Sequence, residues 1–358
     1  MKLIPCFLFV FTLFCSLNLY SQTDLVSKFE VTMISDSADH NAFTDLIRYK
    51  KYFYCAFREA GAHQPGDTVD DGIIRIIRSK KGDVWKNVTT LKVSDFDLRD
   101  AKLSVTPGGK LMVLMGGSEY IKGRLNRRLT HVSFSEDGQK FTEPMPVSID
   151  RTVRSNFDWI YSVTWQDTIG YAACYQINRP KRKWCVWLLK TYDGINYEPV
   201  INWDVGPHPN EARIRFAPDG RMIIIVRRES GGNGILGISY PPFTEWTWYD
   251  LSMKLGGPNF LVLSNDKILI GSRIYSNQEL GQQIGKVNEK DRTGIFLAND
   301  NGAVHKVVEL PSGGDTGYPG MVIYKDFLYV TYYSSHEGKS KIYFAKAKLL
   351  DIENEFDN

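Results

Sequence analysis

Two short phrases in this 358-residue chain carry side chains suited to chemistry. Asn210-Glu211 is followed sixteen residues later by Arg227, and Gly317-Tyr318-Pro319 lies far downstream. A phenol with a pKa of about 10 is a poor nucleophile at neutral pH. It needs a base within hydrogen-bond reach, and Glu211 is of the type that serves; the bland alternative is a structural tyrosine bonded to a buried glutamate. An arginine fork donates two parallel hydrogen bonds and stays charged, which suits a carboxylate. An arginine can equally pair with an acidic neighbour.

Residues so far apart need a scaffold that gathers them, and the chain repeats one. A strand-turn-strand phrase occurs six times, with turns at Lys50-Lys51, Gly108-Gly109, Gln166-Asp167, Asp219-Gly220, Asn265-Asp266 and Lys325-Asp326. An interval of roughly 50 residues with about four strands per unit predicts an all-β, six-bladed β-propeller, each sheet burying its faces against its neighbours. Opening pairs are expected at 43–49 and 52–58, 102–106 and 110–115, 161–165 and 170–175, 213–217 and 221–227, 259–263 and 267–273, and 320–324 and 327–333. Little chain remains after 346 for an outermost strand, so 29–34 is expected to close the last blade and leave no raw edge. Loops entering the innermost strands converge on a central funnel, where the site should lie.

Composition narrows the alternatives. With 43% hydrophobic residues, 19 Tyr, 19 Phe and 8 Trp there is ample material for a β core. Lys+Arg 44 against Asp+Glu 41 gives +3 with no basic run, so nucleic acid is not an expected partner. Residues 1–21 read as an export signal, Lys2 preceding an apolar stretch too short to span a membrane. Cleavage after Ser21 leaves one propeller domain over 22–358, secreted or periplasmic, without a membrane span. Of the remaining Cys55, Cys174 and Cys185, only Cys174 with Cys185 is a disulfide to entertain.

Several third strands run into a polar turn: Ser135-Glu136-Asp137-Gly138 before Phe141, Thr191-Tyr192-Asp193-Gly194 before Tyr197, and Ala298-Asn299-Asp300-Asn301-Gly302 before His305. An Asp there bonds the turn's own backbone while Gly takes a positive φ. These turns resemble degenerate Asp-boxes, the BNR repeats of the sialidase superfamily. The phrase around Glu211 and Arg227 resembles the family's glutamate beside the nucleophile and its carboxylate-holding arginine, and Gly317-Tyr318-Pro319 stands where the family has Gly-Tyr-Ser.

The resemblance implies a secreted exo-acting glycoside hydrolase that takes a glycan or glycoconjugate and removes a terminal acidic sugar with retention, without a cofactor or metal. Tyr318 is then the nucleophile and Glu211 its base. A tyrosine nucleophile is the sialidase exception to the two-carboxylate rule. The general acid is expected among Asp67, Asp70 and Asp71 on the loop of residues 59–72, with His63 also available. Arg227 with Arg292 or Arg273 grips the carboxylate. Where the family opens its first blade with Arg-Ile-Pro, this chain has His40-Asn41-Ala42, so Arg58, or Arg99 beside Asp100, is left to supply the missing charge. The alternatives are a glycosidase for another acidic or neutral sugar, or a non-catalytic carbohydrate-binding propeller. Trp159 offers a sugar-stacking face or core packing, and Asn156, Asp158, Asn259, Asp315 and His336 complete the funnel candidates. The six histidines show no metal-ligand spacing.

Overall fold

A computed structural model describes residues 28–64, 72–178, 183–229, 232–263, 267–276 and 288–354. It is built from twenty-five strands in six sheets, with a short terminal helix α1 (Leu349–Glu353). Blade one is β2 (His40–Tyr49), β3 (Tyr52–Ala60), β4 (Ile73–Ser79) and β5 (Lys86–Leu91). Blade two is β6 (Asp97–Val105), β7 (Leu111–Ile121), β8 (Arg124–Ser135) and β9 (Met145–Pro146). In blade three, β11 (Asp158–Gln166), β12 (Ile169–Asn178), β13 (Lys183–Thr191) and β14 (Asn196–Trp203) are extended by β10 (Ser148–Ile149), which runs parallel to β14. Blade four comprises β15 (Pro209–Phe216), β16 (Met222–Arg228), β17 (Ile235–Ser239) and β18 (Thr247–Asp250), and blade five β19 (Asn259–Val262), β20 (Lys267–Ile274), β21 (Arg292–Asn299) and β22 (Val304–Leu310). Blade six is β23 (Thr316–Tyr324), β24 (Phe327–Ser334) and β25 (Lys341–Lys348), closed by β1 (Glu30–Ser35) antiparallel to β25, as the spare N-terminal strand predicts.

The innermost strands β2, β6, β11, β15, β19 and β23 touch in sequence and β23 returns to β2, so the ring closes. Blades read as apolar on both faces because both are covered. In β16, Met222 to Arg227 are buried without alternation. Ile223 and Ile225 pack with Phe260 and Ile270 of blade five, whereas Met222, Ile224 and Val226 join the core shared with Ala173 and Tyr175 of blade three.

The inner strands begin earlier than the sequence suggests, at His40, Asp97, Asp158, Pro209 and Thr316. Each carries a register shift near its mouth, at Ala42/Asp45, Arg99/Lys102, Ile160/Ser162, Pro209/Ala212 and Gly317/Gly320. A bulge unpairs a residue and re-aims its side chain. Three residues in these bulges, Phe43, Asp100 and Tyr318, sit at φ of 59°, 50° and 51°, a conformation that costs a non-glycine residue on the order of 1–3 kcal/mol and needs tertiary support.

Two of the three polar turns bond as expected, whereas in the third Asn301 Oδ1 takes the Ala303 N–H and Asp300 instead pairs with Arg221. Asp137 Oδ1 accepts from the N–H groups of Gln139 and Lys140, and Asp193 Oδ1 from those of Ile195 and Asn196. Ser79 does for Gly82 what Ser135 does for Gly138, each hydroxyl accepting the glycine N–H at 2.9 Å; this blade-one turn escapes the sequence pattern because Lys81 stands where the others have Asp. Cys55, Cys174 and Cys185 are free thiols, which corrects the entertained disulfide: Cys174 is paired across the ladder with Trp187, and Cys185 with Gln176.

Candidate active site

Four of the five bulges, all but that of blade three, deliver a side chain to one cavity at the mouth of the ring. Tyr318, Glu211, Arg227, Arg273, Arg99, Asp100 and Trp159 all line it, together with His63, Phe43 and Arg128. Tyr318 from blade six donates its O–H to Glu211 Oε1 of blade four at 2.6 Å. Glu211 Oε2 accepts from Arg227 Nη1 and from the Gly257 N–H, both at 2.9 Å. Gly257 is required twice over, since its φ is +58° and a Cβ there would lie 2.3 Å from the Tyr318 ring.

This arrangement fixes where the proton rests. Burial pushes the Glu211 carboxyl up, but Arg227, the Tyr318 hydroxyl and the Gly257 N–H together hold it below the ordinary carboxylate range. Burial, reinforced by the Glu211 charge, pushes the Tyr318 phenol well above its ordinary value. The resting pair is therefore phenol on carboxylate, with the acceptor in place for the proton that Tyr318 would release on attack. Arg227 Nη1 also lies 3.4 Å from the phenol oxygen, suited to a developing negative charge. Its Nη2 meets Glu229 Oε2 at 2.7 Å, and Asn210 Nδ2 donates to that same oxygen at 2.7 Å. Glu229 was not singled out in the sequence; it stands two residues beyond Arg227, a spacing that in an extended strand returns to the same face.

A second buried carboxylate, Asp315, stands outside the lining, as does His40, but it holds two residues that do line the cavity, His63 and Arg273. Asp315 Oδ1 accepts from Tyr333 Oη at 2.8 Å and from Arg273 Nη2 at 3.3 Å. Oδ2 accepts from His40 Nε2 at 2.9 Å and His63 Nδ1 at 2.6 Å. Burial alone would push Asp315 up, yet the two imidazoles and Arg273 hold it well below the carboxylate range. The ligand atoms of His40, His63 and Asp315 lie within 4.8 Å of one another, a set that could hold a metal ion by type. The hydrogen bonds of His40 disfavour that use: Arg58 Nη1, which can only donate, faces His40 Nδ1 at 3.3 Å. His40 therefore keeps its proton on Nε2, the atom a cation would need.

Arg58 is fully buried, its Nε on Asp97 Oδ1 at 2.8 Å, and does not line the cavity. It passes so close to Gly72 that a Cβ there would lie 2.3 Å from its Nε. Arg99 takes the other oxygen of Asp97 at 2.5 Å and donates Nη2 to the His63 carbonyl at 2.8 Å. Asn41 is wholly buried and ties blade one to the Ser340 carbonyl. Between the two arginines left open in blade five, Arg273 reaches the cavity, whereas Arg292 donates to the carbonyls of Glu289 and Asp291 and does not line it. Asn156, Asp158, Asn259 and His336 also stand outside the lining. Asp67, Asp70 and Asp71 lie outside the described residues.

Asp100 is buried beside Lys102, and burial pushes its carboxyl up to about 6 even with Lys102 pulling it down. Trp159, Tyr175 and Trp184 stack in series, with centroids 6.2 and 6.4 Å apart. Arg128 lies 5.1 Å over Trp159 and, among the described residues, bonds no carboxylate through its side chain. Of these, only Asp100 and Trp159 carry a sequence-level signal.

No protein-family model and no curated protein matches the sequence. Solved structures do match in fold. A protein of unknown function from Dyadobacter fermentans superposes with a TM-score of 0.73 at 17% identity, over 90% of this chain and 99% of that one. The phage phi92 endosialidase gives 0.68 at 11% identity over 90% of this chain and 69% of its own. Trypanosoma rangeli sialidase gives 0.63 at 11% identity; the match covers 92% of this chain and only 59% of that enzyme. At such identities the likeness is one of architecture, and with six blades closed by an N-terminal strand this chain has a sialidase-like six-bladed β-propeller fold.

Proposed function

We propose that the protein is a glycoside hydrolase that removes a terminal acidic sugar from a glycan with retention, Tyr318 acting as nucleophile and Glu211 as its base. The observation that carries this reading is the buried Tyr318–Glu211 hydrogen bond of 2.6 Å with Arg227 against both groups. A phenol approaches an anomeric centre bearing a carboxylate without the repulsion a second carboxylate would meet. Arg227 and Arg273 line the same cavity and supply the positive charge beside it. Among proteins of this fold, Trypanosoma rangeli sialidase forms a covalent intermediate with 2,3-difluorosialic acid.

The test is a screen of the purified protein against chromogenic glycosides of sialic acid, related acidic sugars and neutral sugars, followed by trapping with the matching fluorinated sugar. One added sugar mass on the peptide containing Tyr318 is expected. Inversion at the anomeric carbon, or a label elsewhere, overturns the mechanism; binding without turnover, unchanged in Glu211→Gln, converts the protein to a lectin-like propeller. Export with cleavage after Ser21 belongs to the same reading, and an N-terminus of the secreted protein far from Gln22 removes it.

One observation favours a second reading, a sugar without the sialic acid carboxylate. Each arginine proposed for the clamp already faces acid: Arg227 meets Glu211 and Glu229, Arg273 meets Asp315, and Arg99 meets Asp97. Faster turnover of a neutral glycoside than of any acidic one selects this reading.

A further inference from the structure

Glu211 and Tyr318 handle one proton between them, whereas a departing glycosidic oxygen needs a second donor. One imidazole in the cavity wall is held for that task. His63 follows β3 in a short turn and is fixed at three points. Its carbonyl accepts from Arg99, its Nδ1 meets Asp315 Oδ2 at 2.6 Å, and its ring stands edge-on to Phe43 with centroids 5.3 Å apart. The Phe43 ring in turn lies 4.8 Å from that of Tyr318, so a single aromatic side chain separates His63 from the proposed nucleophile.

The two histidines on Asp315 differ in what they leave open. His40 has a 9% exposed side chain and both ring nitrogens engaged, Nε2 by Asp315 and Nδ1 by Arg58. Burial, only partly offset by Asp315, lowers its pKa and keeps it neutral, and no nitrogen remains for a substrate. The His63 side chain is 32% exposed. An ionised Asp315 only accepts, so His63 carries hydrogen on Nδ1, and among the described residues nothing bonds its Nε2. A carboxylate that orients an imidazole and leaves the far nitrogen to the reactants is the arrangement of proton-transferring histidines generally.

We propose that His63, oriented by Asp315, delivers the proton to the departing glycosidic oxygen; this rests on the hydrolytic reading above. In the first half-reaction the Tyr318 oxygen bonds to the anomeric carbon as the glycosidic C–O bond breaks. The phenol proton passes to Glu211, and His63, entering the step as the imidazolium with hydrogen on both ring nitrogens, gives its Nε2 proton to the leaving oxygen. In the second, Nε2 takes a proton from the water whose oxygen attacks the anomeric carbon, the bond to Tyr318 breaks, and Glu211 returns its proton to the phenolate. His40 is a positioning residue for Asp315.

Two sialic acid probes test the assignment, one with a 4-nitrophenyl leaving group, which departs without a proton, and one linked to lactose, which does not. His63→Gln is expected to lose about 10²–10⁴-fold on the lactose-linked substrate and no more than about tenfold on the nitrophenyl one. Asp315→Asn, which leaves the imidazole unheld, should show the same dependence on leaving group with a smaller loss, and circular dichroism checks that both variants fold. Equal losses on the two probes overturn the proposal, as does leaving-group dependence that appears instead in variants of Asp67, Asp70 or Asp71. Ring-nitrogen NMR of the parent reads the tautomer without turnover, and a hydrogen on Nε2 of neutral His63 also overturns it. If the parent hydrolyses neither probe nor any acidic or neutral glycoside of the screen and Tyr318 takes no fluorosugar label, the hydrolytic reading fails and this assignment with it; labelling at Tyr318 without a His63 effect removes His63 alone.

Discussion

Asp193 and Asp315 are both carboxylates held below their ordinary range, and they are held in opposite ways. At the outer turn of blade three, every partner of Asp193 lies within three residues: the N–H groups of Ile195 and Asn196, the Asn196 amide and the Thr191 hydroxyl. At the funnel mouth, the partners of Asp315 are 18, 42, 252 and 275 residues away. The turn carboxylate stabilises a local conformation that the chain could sample while unfolded. The mouth carboxylate has its partners only once the ring has closed, which is how a site can hold strained bulges at Phe43, Asp100 and Tyr318.

If the mouth is a tertiary device for chemistry, the largest effects belong there. Tyr318→Phe and Glu211→Gln should each lower glycoside turnover by about 10³-fold or more, and the double variant should be scarcely worse than the poorer single, because the two act as a unit. The denaturation midpoint should move little for Tyr318→Phe. Independent, multiplying losses would break the pairing even if both residues matter.

Ring closure is the next test. Removing β1 exposes the edge of β25 in blade six and should destabilise every blade together by several kcal/mol, read as one cooperative urea transition at lower midpoint. Loss confined to blade six, with the mouth intact by substrate turnover, would mean that the site does not depend on closure.

His131 supplies a pH test of the tertiary interior. Burial against Phe96 lowers its pKa to about 4, opposed by the contact with the Leu129 carbonyl. Its unfolded value is about 6.5, so the fold favours the neutral ring. The associated stability is complete above pH 6.5 and is lost as pH falls from there toward 4, by roughly 3 kcal/mol in full. Subtracting the stability curve of His131→Phe from that of the parent should reveal this slope; parallel curves would assign the acid sensitivity elsewhere.

The smallest effect is expected at the turn. Asp193→Ala should cost about 1 kcal/mol, the scale of a side chain bonding local backbone, and leave turnover unchanged. A change in activity would mean that outer turns and mouth are coupled.

The same contrast explains what could be read in advance. The hairpin turns at Lys50-Lys51, Gly108-Gly109, Gln166-Asp167, Asp219-Gly220 and Lys325-Asp326 and the polar turns at Asp137 and Asp193 were legible because each rests on neighbours in sequence; Asn265-Asp266 lies outside the described residues, and β1, which pairs with the far end of the chain, was legible as the strand left over from the repeat. The inner ends of the strands were not. Alternation stops at the bulges, so β6 looked as if it began at Lys102 when it begins at Asp97, and β23 at Gly320 when it begins at Thr316. Arg273 and Arg292 could not be told apart because both flank the same hairpin, and only packing turned one of them into the cavity.

By itself, then, the sequence determined the repeat, the strand periodicity, the turn chemistry and the presence of Glu211, Arg227 and Tyr318 in phrases that could meet. Closure of the ring decided the rest: which oxygen of Glu211 takes the phenol, that Asp315 binds two histidines from blade one, that Arg58 is committed to Asp97 and His40, and that His63 alone of the two histidines keeps a nitrogen toward the cavity. Periodicity and turn bonding are short-range and act on any piece of chain. Burial and the pairing of charges across 100 or more residues come into being only when the blades are docked.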